Sequence, residues 1–335
     1  MQVPFVHGPD DLRLCEIAPP KAGPRDVVLR IAAVGVCGSD LGYIAAGGVS
    51  GPAAAPFPLG HELSGTVVEA GAEVTSFALG DRVILNPLIN LIGNGGPEGG
   101  FGERLLVRDV AGRPQSLLRL PDELSFETGA LIEPLAVGLH AVNRLGARPG
   151  DKVAIFGAGP IGLMSLIALR SRGVDDVVVF DLSAFRRERA SQLGARLAVD
   201  PRETPAVEAL RAAHGGVRVY SADAPQTTHY LEASGAPLIP DIVGFARMGA
   251  VVCVVSAQKQ PAPVDFQRVL AKELTLTGAI GYPTELGEAL QLLLAGAIDP
   301  SPVVSHRFKA GEVLEAFATA KQPDRAAKVL VQYQA

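Results

Sequence analysis

Cysteine is scarce, with three in 335 residues at Cys15, Cys37 and Cys253. So few cannot form the disulfide framework of a secreted scaffold, and a reducing, cytoplasmic setting is expected. Apolar stretches are all interrupted by Gly, Pro or charge before the roughly 18–20 residues that a bilayer requires, so no transmembrane span is expected. The opening MQVPFVHGPDD lacks the basic-then-apolar order of a signal sequence. Thirty basic residues against 35 acidic ones form no run, and a net charge of −5 recommends neither nucleic acid nor a membrane surface as partner. Internal repeats and low-complexity tracts are missing too.

What is present suits a globular chain: 48% hydrophobic and 19% charged residues, in a length that allows two domains with a core each. Thirty-eight glycines and 26 prolines, spread rather than clustered, imply many tight turns. The first 120 residues read as short strands (DVVLRIAAVGV, SGTVVEAG, DRVIL, ERLLV), each closed by Gly, Pro or Asp. Texture changes near Ser125. A helix is expected over 127–145, then a strand over 152–156, a helix over 161–173, a strand over 176–180 and a helix over 184–193. That alternation predicts an α/β fold with a doubly wound parallel sheet. The last fifty residues return to mixed texture, with a helix over 286–295, a hairpin-like VVSHRFK and a closing strand KVLVQY. The doubly wound domain, 143–282, is therefore expected to be inserted into a β-rich domain made of 1–142 and 283–335.

KVAIF runs into Gly157-Ala158-Gly159-Pro160-Ile161-Gly162. A lone G-x-G-x-x-G is weak in so glycine-rich a chain, but this one follows an apolar strand, opens a helix, and stands 19 residues (181 minus 162) before Asp181 at the end of the next strand. Gly157 would permit the tight turn, Gly159 would admit a pyrophosphate to the helix N-terminus, and Gly162 would let helix and strand pack closely. Asp181 is placed to accept from the adenosine ribose hydroxyls and to repel a 2′-phosphate, which favours NAD over NADP. Arg186 is expected over the adenine. The competing reading is a glycine-rich turn with Asp181 capping the following helix.

Three further residues invite a metal. Cys37 ends an apolar strand in GVCGSD, His61-Glu62 leads into SGTVVEAG, and Glu133 lies inside the apolar run ALIEPLAV. A carboxylate in such a run is costly to bury without a partner. Thiolate, imidazole and carboxylate together suit a three-ligand catalytic zinc with an open fourth position. Taken singly, each has a plain structural reading: a small buried thiol, a core histidine, a helix-starting glutamate.

In order and spacing, GVCGSD, LGHELSGTVVEAG, GGFGERLLV, GALIEPLAVGLHA, GAGPIGL and VVVFDLSAFR resemble the zinc-dependent medium-chain alcohol dehydrogenases, and the looser EASGAP and LTLTGAIGY extend the likeness over essentially the whole chain. The resemblance implies a split GroES-like catalytic domain, an inserted Rossmann domain, and zinc in the cleft between them. Glu133-Pro134 resembles the sorbitol, idonate and butanediol dehydrogenase branch. Carried over, the zinc ligands are Cys37, His61 and Glu133, with Glu62 as a neighbouring or alternating ligand and Asp40 orienting the imidazole of His61. Cofactor contacts extend to Pro160, Ile161, Leu182, Ser256 and Ile280, and Tyr43 and Tyr282 are expected in the substrate pocket. The implied chemistry is oxidation of a secondary alcohol. Zinc acidifies its hydroxyl, Ser39 accepts the proton, and hydride passes to NAD. A homodimer or homotetramer is expected from the same resemblance.

The chain departs from its relatives in three places. Asn86 to Arg108 contains no cysteine, so the structural zinc lobe of many members is expected to be remodelled or absent, leaving one zinc per subunit. Gly42 stands where this branch commonly carries a relay histidine. Gly281-Tyr282 replaces the Arg-aromatic pair of the sugar-alcohol members, which removes a guanidinium suited to a polyol and leans toward a smaller diol. A sugar-acid or sugar-alcohol substrate is the alternative. Two other classes compete: a zinc-free quinone-type reductase of the same fold, and a non-catalytic NAD-binding protein. SADAPQTTHYLEASG runs several residues longer than the usual approach to its motif, with no physical explanation in the sequence. His140 reads as a packed helix histidine, Cys15 and Cys253 as small buried groups, and Lys272-Glu273 as a solvated turn pair.

Overall fold

The structure, a computed structural model, describes residues 1–258 and 260–333. It forms two compact units. The first comprises Met1–Glu133, Val304–Gln322 and the chain from Ala326 onward; the second comprises Pro134–Val303 and the short return Pro323–Arg325.

In the first unit, Val27–Val36 is the central strand because it is apolar on both faces: of VVLRIAAVGV only Arg30 is exposed. It pairs antiparallel with Glu62–Ala70 on one side and with Lys328–Gln332 and Arg104–Val107 along its other edge. The register puts Gly35 opposite Glu62 and Val36 opposite Val329. Three strands therefore meet at one end of a seven-stranded sheet. Leu29, Ile31, Leu63, Phe101 and Phe317 fill the core beneath it, each contributing roughly 1.5–3 kcal/mol by leaving water.

The expected helix over 127–145 is two helices, Phe126–Ala130 and Ile132–Leu145. Pro134 explains the break, since it lacks the N–H that a continuous helix would donate to the carbonyl of Ala130. In the first turn of a new helix that N–H has no partner to lose. The hairpin-like reading of VVSHRFK also fails: Val304–Lys309 pairs parallel with Lys328–Gln332, and the helix Val313–Ala320 makes the crossover that parallel strands require.

The second unit carries six parallel strands: Lys152–Phe156, Asp176–Phe180, Leu197–Val199, His229–Glu232, Val251–Val254 and Thr275–Gly278. Counted along the chain they lie in the order 3-2-1-4-5-6, so the order reverses between Lys152–Phe156 and His229–Glu232. The start of SADAPQTTHYLEASG is the second strand of a β-hairpin, Gly216–Val219 against Ala222–Pro225, with Tyr220 in the left-handed region at φ 53°. The Tyr220 hydroxyl donates to Ala271 O at 2.7 Å, fastening the hairpin to the end of the helix Phe266–Ala271. Among the described residues, no helix is long and apolar enough to cross a membrane.

Candidate metal and dinucleotide sites

The sheet end shared by three strands in the first unit gathers the chemistry. Cys37 follows the central strand and N-caps the helix Gly38–Ala46, while Asp40 Oδ2 accepts from Cys37 N at 2.9 Å. Glu62 begins the neighbouring strand and His61 immediately precedes it. One ligand atom each from Cys37, His61 and Glu62 lies within 4.8 Å of the others, in a setting where both His61 and Glu62 are buried. Ser39 Oγ stands 3.5 Å from His61 Nε2, and His61 Nδ1 stands 3.6 Å from Asp40 Oδ1. Glu133 is not in the 4.8 Å group, but its charge acts on His61 and on Lys328.

Lys328, 1% exposed, is a residue of this cluster that the sequence did not announce. Its ammonium donates to Glu62 Oε2 and, at 3.0 Å, to Val36 O. Gly35 makes room for that pair, because a Cβ there would lie 2.2 Å from Glu62 Oε2. As the first residue of KVLVQY it looks like an exposed strand end. Only the register, which sets Val329 opposite Val36, brings it beside Cys37 and Glu62.

The electrostatics fit a cation. Burial pushes Asp40 up to about 6 against the pull of His61. At His61 burial opposes protonation, yet the charges of Asp40, Cys37 and Glu133 prevail and hold the imidazole well above its ordinary range. Lys328 is likewise raised: burial opposes its charge, and Glu62 and Cys37 outweigh it. A pocket that draws protons onto imidazole and amine is anionic, and a dication bound by thiolate and imidazole would take the proton's place. Asp40 Oδ1, His61 Nδ1 and Glu62 Oε1 are buried with no hydrogen-bond partner among the described residues. Such atoms are costly unless something satisfies them. The donor set fits a metal.

The second unit builds its site from backbone. Gly157 has φ 102°, and a Cβ at Gly162 would lie 1.9 Å from Gly157 O, so both positions exclude side chains. Gly159 caps the helix Pro160–Ser171, with Ile161 in its first turn. Asp181 Oδ2 accepts from Ala158 N at 2.7 Å and Oδ1 from Ser183 N at 2.8 Å, which locks the carboxylate against the glycine turn. Arg186 leans over the same turn, its Nη1 3.7 Å from where a Gly159 Cβ would be. Burial lowers its pKa, against the pull of Asp181 and Asp324. Arg187, not anticipated, ties Asp181 O and Leu182 O to Asp200. Leu182 and Ile280 are exposed at 55% and 91%. Ser256 Oγ accepts from Gly235 N at 2.9 Å.

The Tyr43 hydroxyl donates to Asn94 Oδ1 at 3.3 Å within the first unit, and Tyr282 is buried in the second. His140 is held by Glu285 at 2.8 Å. Cys253 is buried, but Cys15 is only half-buried, with its Sγ 3.3 Å from His7 Nε2, because its strand is one of a hairpin that keeps one face open. Lys272 is not a solvated partner of Glu273. Its ammonium donates to Val243 O and Gly244 O, at the end of the helix Ile239–Phe245.

Comparison with known proteins finds likenesses along most of the chain. Residues 23–114 match the alcohol dehydrogenase GroES-like domain and residues 160–295 the zinc-binding dehydrogenase domain. The chain is 32% identical to (R,R)-butanediol dehydrogenase of Bacillus subtilis (strain 168), over 92% of each chain. It is 33% identical to sorbitol dehydrogenase of Bos taurus, over 95% of this chain and 92% of the other. The solved 2R,3R-butanediol dehydrogenase from Bacillus subtilis superposes with a TM-score of 0.85 at 30% identity, over 99% of both chains. Other solved structures of this architecture, at TM-scores of 0.85 and 0.82, are complexed with NADH and bound to NADP.

Proposed function

The chain belongs to the zinc-binding dehydrogenase family with a GroES-like domain, and from that premise we propose that it oxidises a small secondary alcohol, a diol or short polyol, reversibly to the ketone with NAD. The observation that carries this reading is the convergence of thiol, imidazole and carboxylate ligand atoms within 4.8 Å at a buried sheet end. Zinc bound there supplies the Lewis acidity that lowers the pKa of a substrate hydroxyl.

In this proposal Cys37 and His61 hold the ion with Glu133, a ligand taken from the family resemblance and lying outside the 4.8 Å group. Glu62 is tethered to Lys328 and serves as an alternating ligand. Asp40 fixes the tautomer of His61, so that Nε2 is left to ligate. Ser39 takes the substrate proton, its hydroxyl already within 3.5 Å of that imidazole nitrogen. With Gly42 in place of a relay histidine, proton exit from Ser39 must use cofactor ribose and water. We assign one zinc per chain. The cysteine-free segment Asn86–Arg108 is held together by other means: Asn86 caps Leu88 N, Asn90 donates to Ser116 Oγ, and Arg108 pairs with Glu98.

The second unit supplies the dinucleotide. Asp181, fixed by two backbone N–H groups, keeps lone pairs for ribose hydroxyls, and its charge favours NAD over a 2′-phosphorylated cofactor. The named relatives act on butanediol and on sorbitol. The missing guanidinium at Gly281-Tyr282 inclines the reading to the smaller diol, with Tyr43 and Tyr282 as substrate-contacting residues. A cytoplasmic homodimer or homotetramer completes the proposal. The experiment is a panel of butanediols, sorbitol and sugar acids with NAD and NADP, read as NADH or NADPH formation with and without a chelator. Butanediol oxidation with NAD that the chelator abolishes supports the reading. Turnover that a chelator leaves untouched in zinc-free protein, or none on any alcohol, refutes it.

A further inference from the structure

The fully buried carboxylate of Glu232 has no part in the metal or adenosine chemistry described above. It closes the fourth strand, at the carboxyl edge of the sheet and beside the point where strand order reverses. Ligands of open α/β sheets bind in the crevice at that point. With Asp181 at the end of the second strand reading the adenosine ribose, the other half of a dinucleotide extends over the fourth and fifth strands.

Glu232 is wired to the loops that leave those two strands. Its Oε1 accepts from Ser234 N at 2.7 Å, Gly235 N at 3.0 Å and Ser234 Oγ at 2.5 Å. Its Oε2 accepts from Ser256 Oγ and from Gln258 Nε2, the latter at 2.5 Å. Gly235 N is shared with Ser256 Oγ at 2.9 Å, so the two loops are cross-linked to each other as well as to the carboxylate. The same segment touches the glycine turn, since a Cβ at Gly157 would lie 2.8 Å from Ser234 N. All five donors are neutral. A buried anion is tolerated by such a shell only when its hydrogen bonds are complete. An amide in its place would turn an N–H group toward those donors and loosen both loops.

We propose that Glu232 is a positioning residue for the nicotinamide half of the cofactor, setting the Ser234-Gly235 and Ser256–Gln258 loops at a fixed distance from the glycine turn. The proposal rests on the dinucleotide reading above. It makes a distinction that general destabilisation does not: the adenosine half, held by Asp181 and the glycine turn, is to be spared.

The test compares NADH with ADP-ribose, which lacks nicotinamide, by fluorescence titration and competition on Glu232→Gln, Glu232→Asp and Ser256→Ala. Glu232→Gln is expected to raise the Kd for NADH roughly ten-fold, the loss of about one charge-assisted hydrogen bond, while the Kd for ADP-ribose stays within about two-fold. Glu232→Asp, which keeps the charge, is expected to recover part of the loss, and Ser256→Ala to show the same pattern more weakly. Equal weakening of both ligands, or an unchanged NADH affinity, overturns the proposal. Should Glu232→Gln fail to fold, Gln258→Ala removes one donor from an exposed position and must show the same selective loss; equal or no loss there is equally fatal. Failure of the wild-type protein to bind either ligand would instead refute the dinucleotide reading itself.

Discussion

The two sites are built in opposite ways. In the second unit, six consecutive residues make the glycine turn, and most of the work is done by absent side chains. Gly157 is in the left-handed region and Gly162 packs against the carbonyl of Gly157. In the first unit, Cys37, His61, Glu62 and Lys328 come from three strands far apart in the chain and bring buried charge with them. The first kind of site is local and steric, the second non-local and electrostatic. They should break under different substitutions.

The largest effect is expected at the metal ligands. Cys37→Ala or His61→Ala should remove bound zinc and cut kcat/KM by more than the roughly 10–100-fold seen for outer-shell changes. Zinc content and turnover should fall together while NADH still binds. Lys328→Met should come next. Leaving Glu62 buried without its ammonium should cost about 3–5 kcal/mol, measured by denaturant unfolding. The double change Lys328→Met with Glu62→Gln should recover a large part of that loss. An additive double mutant would show that the pair does not act as a unit. In the steric site, Gly162→Ala should cost about 1–3 kcal/mol through its clash with Gly157 O and should weaken NADH binding, leaving zinc content intact. If it released zinc, the separation drawn between the sites would fail.

Asp181→Ser sharpens the comparison, although it also removes the carboxylate that accepts from Ala158 N and Ser183 N. It should narrow the preference for NAD over NADP roughly ten-fold, about 1.4 kcal/mol, read as the ratio of kcat/KM values. A further expected effect is one of pH. Burial works against the charge of Glu285, but donors from Asn143, His140 and Thr284 prevail and hold its carboxyl down at about 2, against 4.5 for a free glutamate. A depressed carboxyl stabilises the fold above its unfolded value and loses that contribution as pH falls through its folded one. Unfolding free energy should therefore decline between pH 4.5 and about 2, and Glu285→Gln should flatten that decline.

The contrast between the sites also explains what could be read from sequence. KVAIF followed by GAGPIG and, later, Asp181 is contiguous, and the structure lays it out strand, turn and helix as the spacing implied. Glu133 stood out because a carboxylate in an apolar run is anomalous, whereas Cys37 and His61 were picked out as ligands by the family resemblance; the structure gathers Glu62 rather than Glu133 with them within 4.8 Å. Lys328 and Glu232 were not visible, because what makes them unusual is burial conferred by strand pairing across the chain: Val329 with Val36, and Glu232 between Phe156 and Val254. The helix break at Leu131 was legible in Pro134, whose missing N–H was there to be counted. The hairpin at 216–225 was not: Tyr220 in a left-handed turn is not a residue that turn chemistry selects.

Zinc stoichiometry of the purified protein, measured by elemental analysis alongside NAD-dependent oxidation of 2,3-butanediol, tests the central claim most directly. One zinc per chain, removed by a chelator together with activity and restored with it by added zinc, is the expected result. A fully active protein without zinc, or a zinc that survives loss of both Cys37 and His61, would contradict it.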